Sequence, residues 1–151
     1  MNDADRRLAA LAAAQRQVVT REQAHEVGLT RSSLDRRVAG GLLVPYGPHT
    51  LHFAGSVPSW RGRLLAGLLD LGAGALVSGR AAAALHGLDG FAEGPLEFLV
   101  HRRFRERQAI GRVFSTGAVG PLDVSLVDGL RATSGTRTIL ELAGRVSERE
   151  L

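Results

Sequence analysis

Residues 29–43, LTRSSLDRRVAGGLL, carry the composition and punctuation of a short polar-faced helix. Thr30 supplies an N-cap hydroxyl, Leu34 and Val38 form an apolar i, i+4 pair, and Gly40-Gly41 end a helix where a left-handed residue meets no Cβ clash. Ser32, Ser33, Arg36 and Arg37 fall around the side away from that pair. Hydroxyls and planar guanidiniums are groups that reach guanine edges and phosphates in a major groove. A charged helix face is also the ordinary solvated side of a surface helix, and the segment alone leaves both readings open. Arg31 lies nearer the packed side, where phosphate contact fits better than base readout.

The flanking sequence strengthens the DNA reading. Upstream, Asp3 to Gln15 places Leu8 and Leu11 on a helical period, and Val18-Val19 is a short extended piece. Thr20-Arg-Glu-Gln23 has capping-box spacing for a second helix running to Val27, which Gly28 stops. Gly28-Leu29-Thr30 then joins two helices as in a helix-turn-helix. Downstream, two extended runs between Leu42 and Phe53 flank a Pro/Gly turn, which reads as a β-hairpin, or wing. Three helices and a hairpin in this order make a winged helix, with the third helix available to the groove. In the wing, Tyr46, His49 and Thr50 are candidates for backbone or minor-groove contact, while turn and packing roles account for Tyr46 equally well.

Beyond Gly55 the pattern changes. Ser56 to Gly72 reads as a helix with Pro58 in its first turn and Trp60, Leu64, Leu65, Leu68, Leu69 and Leu71 as a broad apolar side. Ala75-Leu-Val77 is extended, and Ser78 caps an alanine-rich helix ending near Gly87. Strands are expected at Leu96–Val100, Gly111–Ser115 and Asp123–Val127, the last followed by a turn at Asp128-Gly129. Thr133 or Ser134 caps a further helix through Ala143, with Ile139, Leu140 and Leu142 expected inside and Glu141 outside. The expected organisation is α+β: a winged helix-turn-helix over residues 1–55, then a small α/β domain over 56–151 with a mixed or antiparallel sheet. Ser147-Glu-Arg-Glu150 repeats the capping-box spacing with Leu151 as the first buried position, so the sequence reads as an N-terminal fragment of a longer protein, truncated at its C-terminal helix.

Composition bounds the function. A chain of 151 residues, 44% hydrophobic and 23% charged, folds around a real core. The net charge of +4 is spread evenly along it and supports a nucleic-acid partner without deciding for one. All 19 basic residues are arginine, which excludes lysine-dependent catalysis, the acid-x-Lys core of restriction-type nucleases and the Gly-Lys-Ser/Thr of ATP-binding loops. With no cysteine there is neither disulfide nor thiolate chemistry. The N-terminal segment is neither a signal peptide nor a membrane span, so a cytoplasmic location is expected.

No catalytic or metal site is expected. His49 and His52 face opposite sides of a strand, Asp123 and Asp128 are best explained by turn formation, Glu97 stands alone, and Gly55-Ser56 lacks the acid pair of a nucleotidyltransferase. The reading is therefore of a non-enzyme without cofactor or metal. The basic run His101-Arg-Arg-Phe-Arg-Glu-Arg107 reads as a solvated loop in preference to a surface for an anionic toxin, RNA or further DNA phosphate.

Val19-Thr-Arg-Glu-Gln-Ala24, Gly28-Leu-Thr-Arg-Ser-Ser33, Arg61-Gly-Arg-Leu-Leu-Ala66, the run Ala75 to Leu88 and the run Val127 to Ala143 occur in an order that resembles AbiEi-like antitoxins, over nearly the whole chain. The resemblance implies a winged helix that binds operator or promoter DNA and represses its own operon, and an α/β domain acting as antitoxin opposite a nucleotidyltransferase-like toxin. The same front end resembles the N-terminal region of actinobacterial proteins that continue into a very-short-patch-repair-like endonuclease, for which this chain would be the DNA-targeting module. Two positions depart from the pattern: Gly79, where relatives often have His, and Gly135, where many have Pro.

Overall fold

The computed structural model describes residues 2–145 and is α+β, in two compact units. The first unit runs through Asp70 and takes in Gln108–Ile110; the second comprises Leu71–Arg107 and the chain from Gly111 onward.

In the first unit, helix α1 (Asp3–Ala14) is started by an Asn2/Asp5 capping box, and α2 (Arg21–Glu26) by the Thr20/Gln23 box anticipated from the spacing. Gly28 turns the chain at φ +106, Leu29 is buried, and α3 (Arg31–Ala39) begins at the Thr30 cap, whose Oγ1 accepts from the Ser33 N–H at 3.2 Å. Gly41, at φ +74, is the left-handed residue beyond α3. Strands β1 (Val19–Thr20), β2 (Leu43–Pro45) and β3 (Thr50–Phe53) form an antiparallel sheet in the order β1-β3-β2, with Leu43 opposite Phe53, Pro45 opposite Leu51 and Val19 opposite Leu51. This is a winged helix-turn-helix. Leu8, Ala12, Val19, Ala24, Leu29, Leu34, Leu43 and Leu51 make its core, each buried leucine contributing about 1.5–3 kcal/mol of transfer free energy.

Helix α4 (Trp60–Leu71) starts later than its apolar pattern implied. Ser59 is its cap, its Oγ accepting from the Gly62 N–H at 3.1 Å, and Pro58 lies before the helix. The first unit also extends past the boundary expected at residue 55, because α4 carries Asp70 to the wing. There the carboxylate accepts from the His49 N–H at 2.8 Å and the Thr50 hydroxyl at 3.1 Å.

The second unit is a five-stranded mixed sheet, order β6-β5-β4-β8-β7, formed by β4 (Leu76–Val77), β5 (Glu97–His101), β6 (Arg112–Thr116), β7 (Val124–Val127) and β8 (Leu130–Thr133). β4 runs antiparallel to β5 and parallel to β8, while β5 and β6 are parallel. Helices α5 (Gly79–Leu85) and α6 (Gly135–Arg145) pack on each other, and α5 packs on β5. Gly79 has φ +57, and a Cβ there would lie 2.2 Å from Glu97 Oε2, an oxygen that accepts from the Arg80 N–H at 2.7 Å. The buried Glu97 carboxylate thus fills the space a larger residue would need.

Three expectations are corrected by the second unit. β8 is a strand, paired with β7 across the Asp128-Gly129 turn, although Leu130-Arg-Ala-Thr133 is too short and mixed to be read as one. Helix α6 docks through Thr138 and Leu142, with Ile139 and Leu140 exposed, because Thr138 Oγ1 meets Thr133 Oγ1 at 2.7 Å in the interior. Glu141 is largely covered, bound to Arg137 at 2.9 Å. The run His101–Arg107 is exposed apart from Phe104, as a solvated loop would be, with Arg102–Phe104 a 3₁₀ turn and the guanidiniums of Arg103 and Arg107 at 4.6 and 4.0 Å from the Phe104 ring centre. Of the two caps offered for α6, Ser134 receives the Arg137 N–H at 3.2 Å. The capping-box segment Ser147–Leu151 lies outside the described residues. Among the described residues no helix is long and apolar enough to cross a membrane.

Candidate nucleic-acid interface

Leu34 and the half-buried Val38 anchor α3 to the core, as their spacing requires. The residues left exposed on the helix are Arg31, Ser32, Asp35, Arg36 and Ala39, which at 100° per residue span an arc of about 140°. Thr30 is exposed at its start, its hydroxyl engaged as the cap and 3.4 Å from Ser32 Oγ. Ser32 and Arg36 are thus presented together, as the sequence implied, and Arg31, placed nearer the packed side by its spacing, is exposed beside them.

Arg37 is not presented. Its Nε donates to Asp5 Oδ1 and its Nη2 to Asp5 Oδ2 at 3.1 Å, a two-pronged pair across 32 residues that ties α3 to the first turn of α1. Its Nη1 donates to the Ser33 carbonyl at 2.9 Å and to Ser33 Oγ. Only 15% of the Arg37 side chain and 7% of that of Asp5 are exposed. The guanidinium holds the Asp5 carboxyl below the usual carboxylate range, and Asp5 in turn raises the affinity of Arg37 for its proton. Ser33 and Arg37 therefore leave the set of contact residues, because their polar groups are already bonded within the unit.

The wing is corrected likewise. Thr50 is fully buried and spends its hydroxyl on Asp70. Tyr46 is half-buried, its ring edge-on to His52 at 6.1 Å, and burial pushes its hydroxyl pKa up. His49 stays exposed at the tip, where its backbone is held from two sides: its N–H by Asp70 and its carbonyl by the Arg21 N–H at 2.9 Å. Burial raises the Asp70 pKa against the opposing effect of these hydrogen bonds.

Three residues enter the site that sequence reasoning missed. Arg21 and His25 from α2 join Arg31, Leu34 and Asp35 around a cleft of about 380 Å³ between the two helices. His25 Nδ1 lies 2.7 Å from the Leu29 carbonyl, so Nδ1 carries the hydrogen. Arg21 at the start of α2 thus adds a guanidinium beside α3, and His25 stands in the last turn of the same helix. Asp35 puts one carboxylate among them. A signal for Arg21 was present, since it is the first residue after the Thr20 cap. Among the described residues no group of three or more His, Asp or Glu gathers as a metal site would require.

No protein-family model matches the sequence. No curated protein matches it either. Among solved structures the chain is similar to the RV2827C protein from Mycobacterium tuberculosis, with a TM-score of 0.57 and 19% sequence identity over 96% of this chain and 61% of that one. At that identity the likeness is one of fold, and this chain spans about three fifths of the other's length.

Proposed function

We propose that this protein is a cytoplasmic, sequence-specific DNA-binding transcriptional repressor of the AbiEi antitoxin type, acting on operator or promoter DNA and paired with a nucleotidyltransferase-like toxin. It works by occupancy and not by catalysis. The observation that carries this reading is the exposed arc of α3, Arg31, Ser32, Asp35 and Arg36, on a winged helix whose wing tip is held in place. With α3 in the major groove, Arg36 offers a two-pronged donor to a guanine O6/N7 edge and Ser32 a hydroxyl to either base edge or phosphate. Arg21, Arg31 and His49 flank the helix as phosphate-positioning groups, and His25 lies beside them. The antitoxin part of the reading rests on the sequence resemblance.

The test is a salt series of binding to duplex from the protein's own upstream region. Arg36→Ala should weaken specific binding by about 1–3 kcal/mol and relax selectivity at one base pair, whereas Arg31→Ala should weaken all duplexes alike and lower the salt slope by about one. Unchanged affinity and slope in both variants would remove α3 as the reading helix.

A further inference from the structure

The basic turn forms one wall of a cavity of about 370 Å³ in the second unit. Three sets of contacts shape the turn. Phe104 is stacked by Arg103 and Arg107; Arg107 Nη1 donates to the Leu71 carbonyl at 2.6 Å; and the Arg102 guanidinium lies over Gly117, where a Cβ would fall 2.0 Å from Nη2. Leu71, Val100 and Phe104 give the cavity apolar walls, and His101, Arg103 and Arg131 stand around it. No Asp or Glu is among the residues that line it.

This combination selects a ligand class. The volume is at the small end of the roughly 300–1,000 Å³ of small-molecule sites, so it suits one ring or a short branched chain. An inorganic anion would leave the apolar walls unfilled, and a neutral hydrocarbon would desolvate cations without pairing them. A carboxylate on an apolar body satisfies both demands, because guanidinium and carboxylate match as planar forks. We propose that this cavity is a binding site for a small aromatic or branched aliphatic carboxylate, its apolar body against Leu71, Val100 and Phe104 and its anionic end at Arg103 and Arg131. The site is independent of the DNA-binding reading.

Calorimetric titration of the full chain with phenylacetate and with phenylacetamide separates the two halves of the recognition. The acid should bind about ten-fold or more tighter than the amide, an advantage lost in Arg103→Ala/Arg131→Ala, whose two sites are on the surface. Val119→Trp, at an exposed position of the cavity lining, should weaken both compounds. The proposal is overturned by equal affinity for acid and amide, by an acid preference that survives the double variant, or by inorganic phosphate binding as tightly as phenylacetate. An acidic aromatic peptide that binds where phenylacetate does not would assign the cavity to a protein partner, and would overturn it too.

Discussion

Replacing Arg37 with alanine should unfold the first unit more easily without touching the proposed DNA surface, whereas replacing its neighbour Arg36 should do the reverse. Removing one member of a buried, hydrogen-bonded ion pair costs about 3–5 kcal/mol, because the other charge stays desolvated. Arg37 retains 15% of its side-chain exposure and Asp5 7%, which favours the lower end, about 3 kcal/mol. For a chain of this length that is a fall in Tm of roughly 6–12 °C, at about 2–4 °C per kcal/mol. Arg36 is exposed, and its removal should move stability by no more than about 0.5 kcal/mol. The pair also leaves a signature in pH. Asp5 is held below its ordinary pKa, so its contribution is present above the unfolded value near ~3.9 and is lost as pH falls through the lower folded value. The gap between wild type and Arg37→Ala should therefore close as the pH drops below about 4. Urea titrations at pH 7 and at steps down to pH 3 measure both effects, and Asp5→Ala combined with Arg37→Ala should cost less than the sum of the singles by about 1–3 kcal/mol. If Arg37→Ala kept the wild-type urea midpoint and lost DNA binding instead, the assignment of Arg37 to the scaffold would be wrong.

Asp70 has its pKa raised by burial, so its contribution is fully present below ~3.9 and is lost as pH rises through the elevated folded value. Stability measured from pH 4 to 7 should accordingly shift in favour of Asp70→Asn relative to wild type as pH rises, and a constant difference would refute the shift. Gly47→Ala would place a Cβ 1.9 Å from Asp70 Oδ2, and should destabilise by about 1–3 kcal/mol in thermal or urea unfolding while Gly55→Ala, strained but uncrowded, leaves the Asp70 contact intact. Asp35→Asn removes a group that only accepts, pairs best with a cytosine amino group and repels phosphate; binding to a panel of operator variants should show relaxed selectivity at one position and tighter non-specific binding by a few-fold.

The winged helix was legible because its punctuation is local. Thr20 and Gln23, Thr30, Gly28 and Gly41 each act within a few residues of their own position, and a cap or left-handed turn needs no partner from elsewhere in the chain. The second unit was legible only in part, because its register is non-local. β4 is two residues long and is made a strand by β5 on one side and β8 on the other. Similarly, α6 exposes Ile139 and Leu140 because Thr138 finds Thr133 in the interior, a contact between hydroxyls that hydrophobic periodicity does not register.

The site shows the same division at the level of single side chains. Around α3, Arg37 and Asp35 each lie about 80° from the direction bisecting Leu34 and Val38, on opposite flanks, so helical periodicity assigns them equal standing. What separates them is Asp5, 32 residues away, which lies on the Arg37 flank and draws that guanidinium inward. Once Arg37 is committed, the opposite flank becomes the open one, and Asp35 faces outward between Arg31 and Arg36 with α2 supplying Arg21 and His25. The exposed face of α3, expected from the sequence to carry serines and arginines, thus carries a carboxylate as well. A purely cationic helix would bind any duplex through phosphate, but a helix carrying Asp35 gives up part of that attraction and gains a group able to reject bases that offer no amino donor. On the proposed function, selectivity at the expense of bulk affinity would suit a search for one operator among many sites, and Asp35, more than any arginine, is the residue whose substitution would distinguish a sequence reader from a general DNA binder.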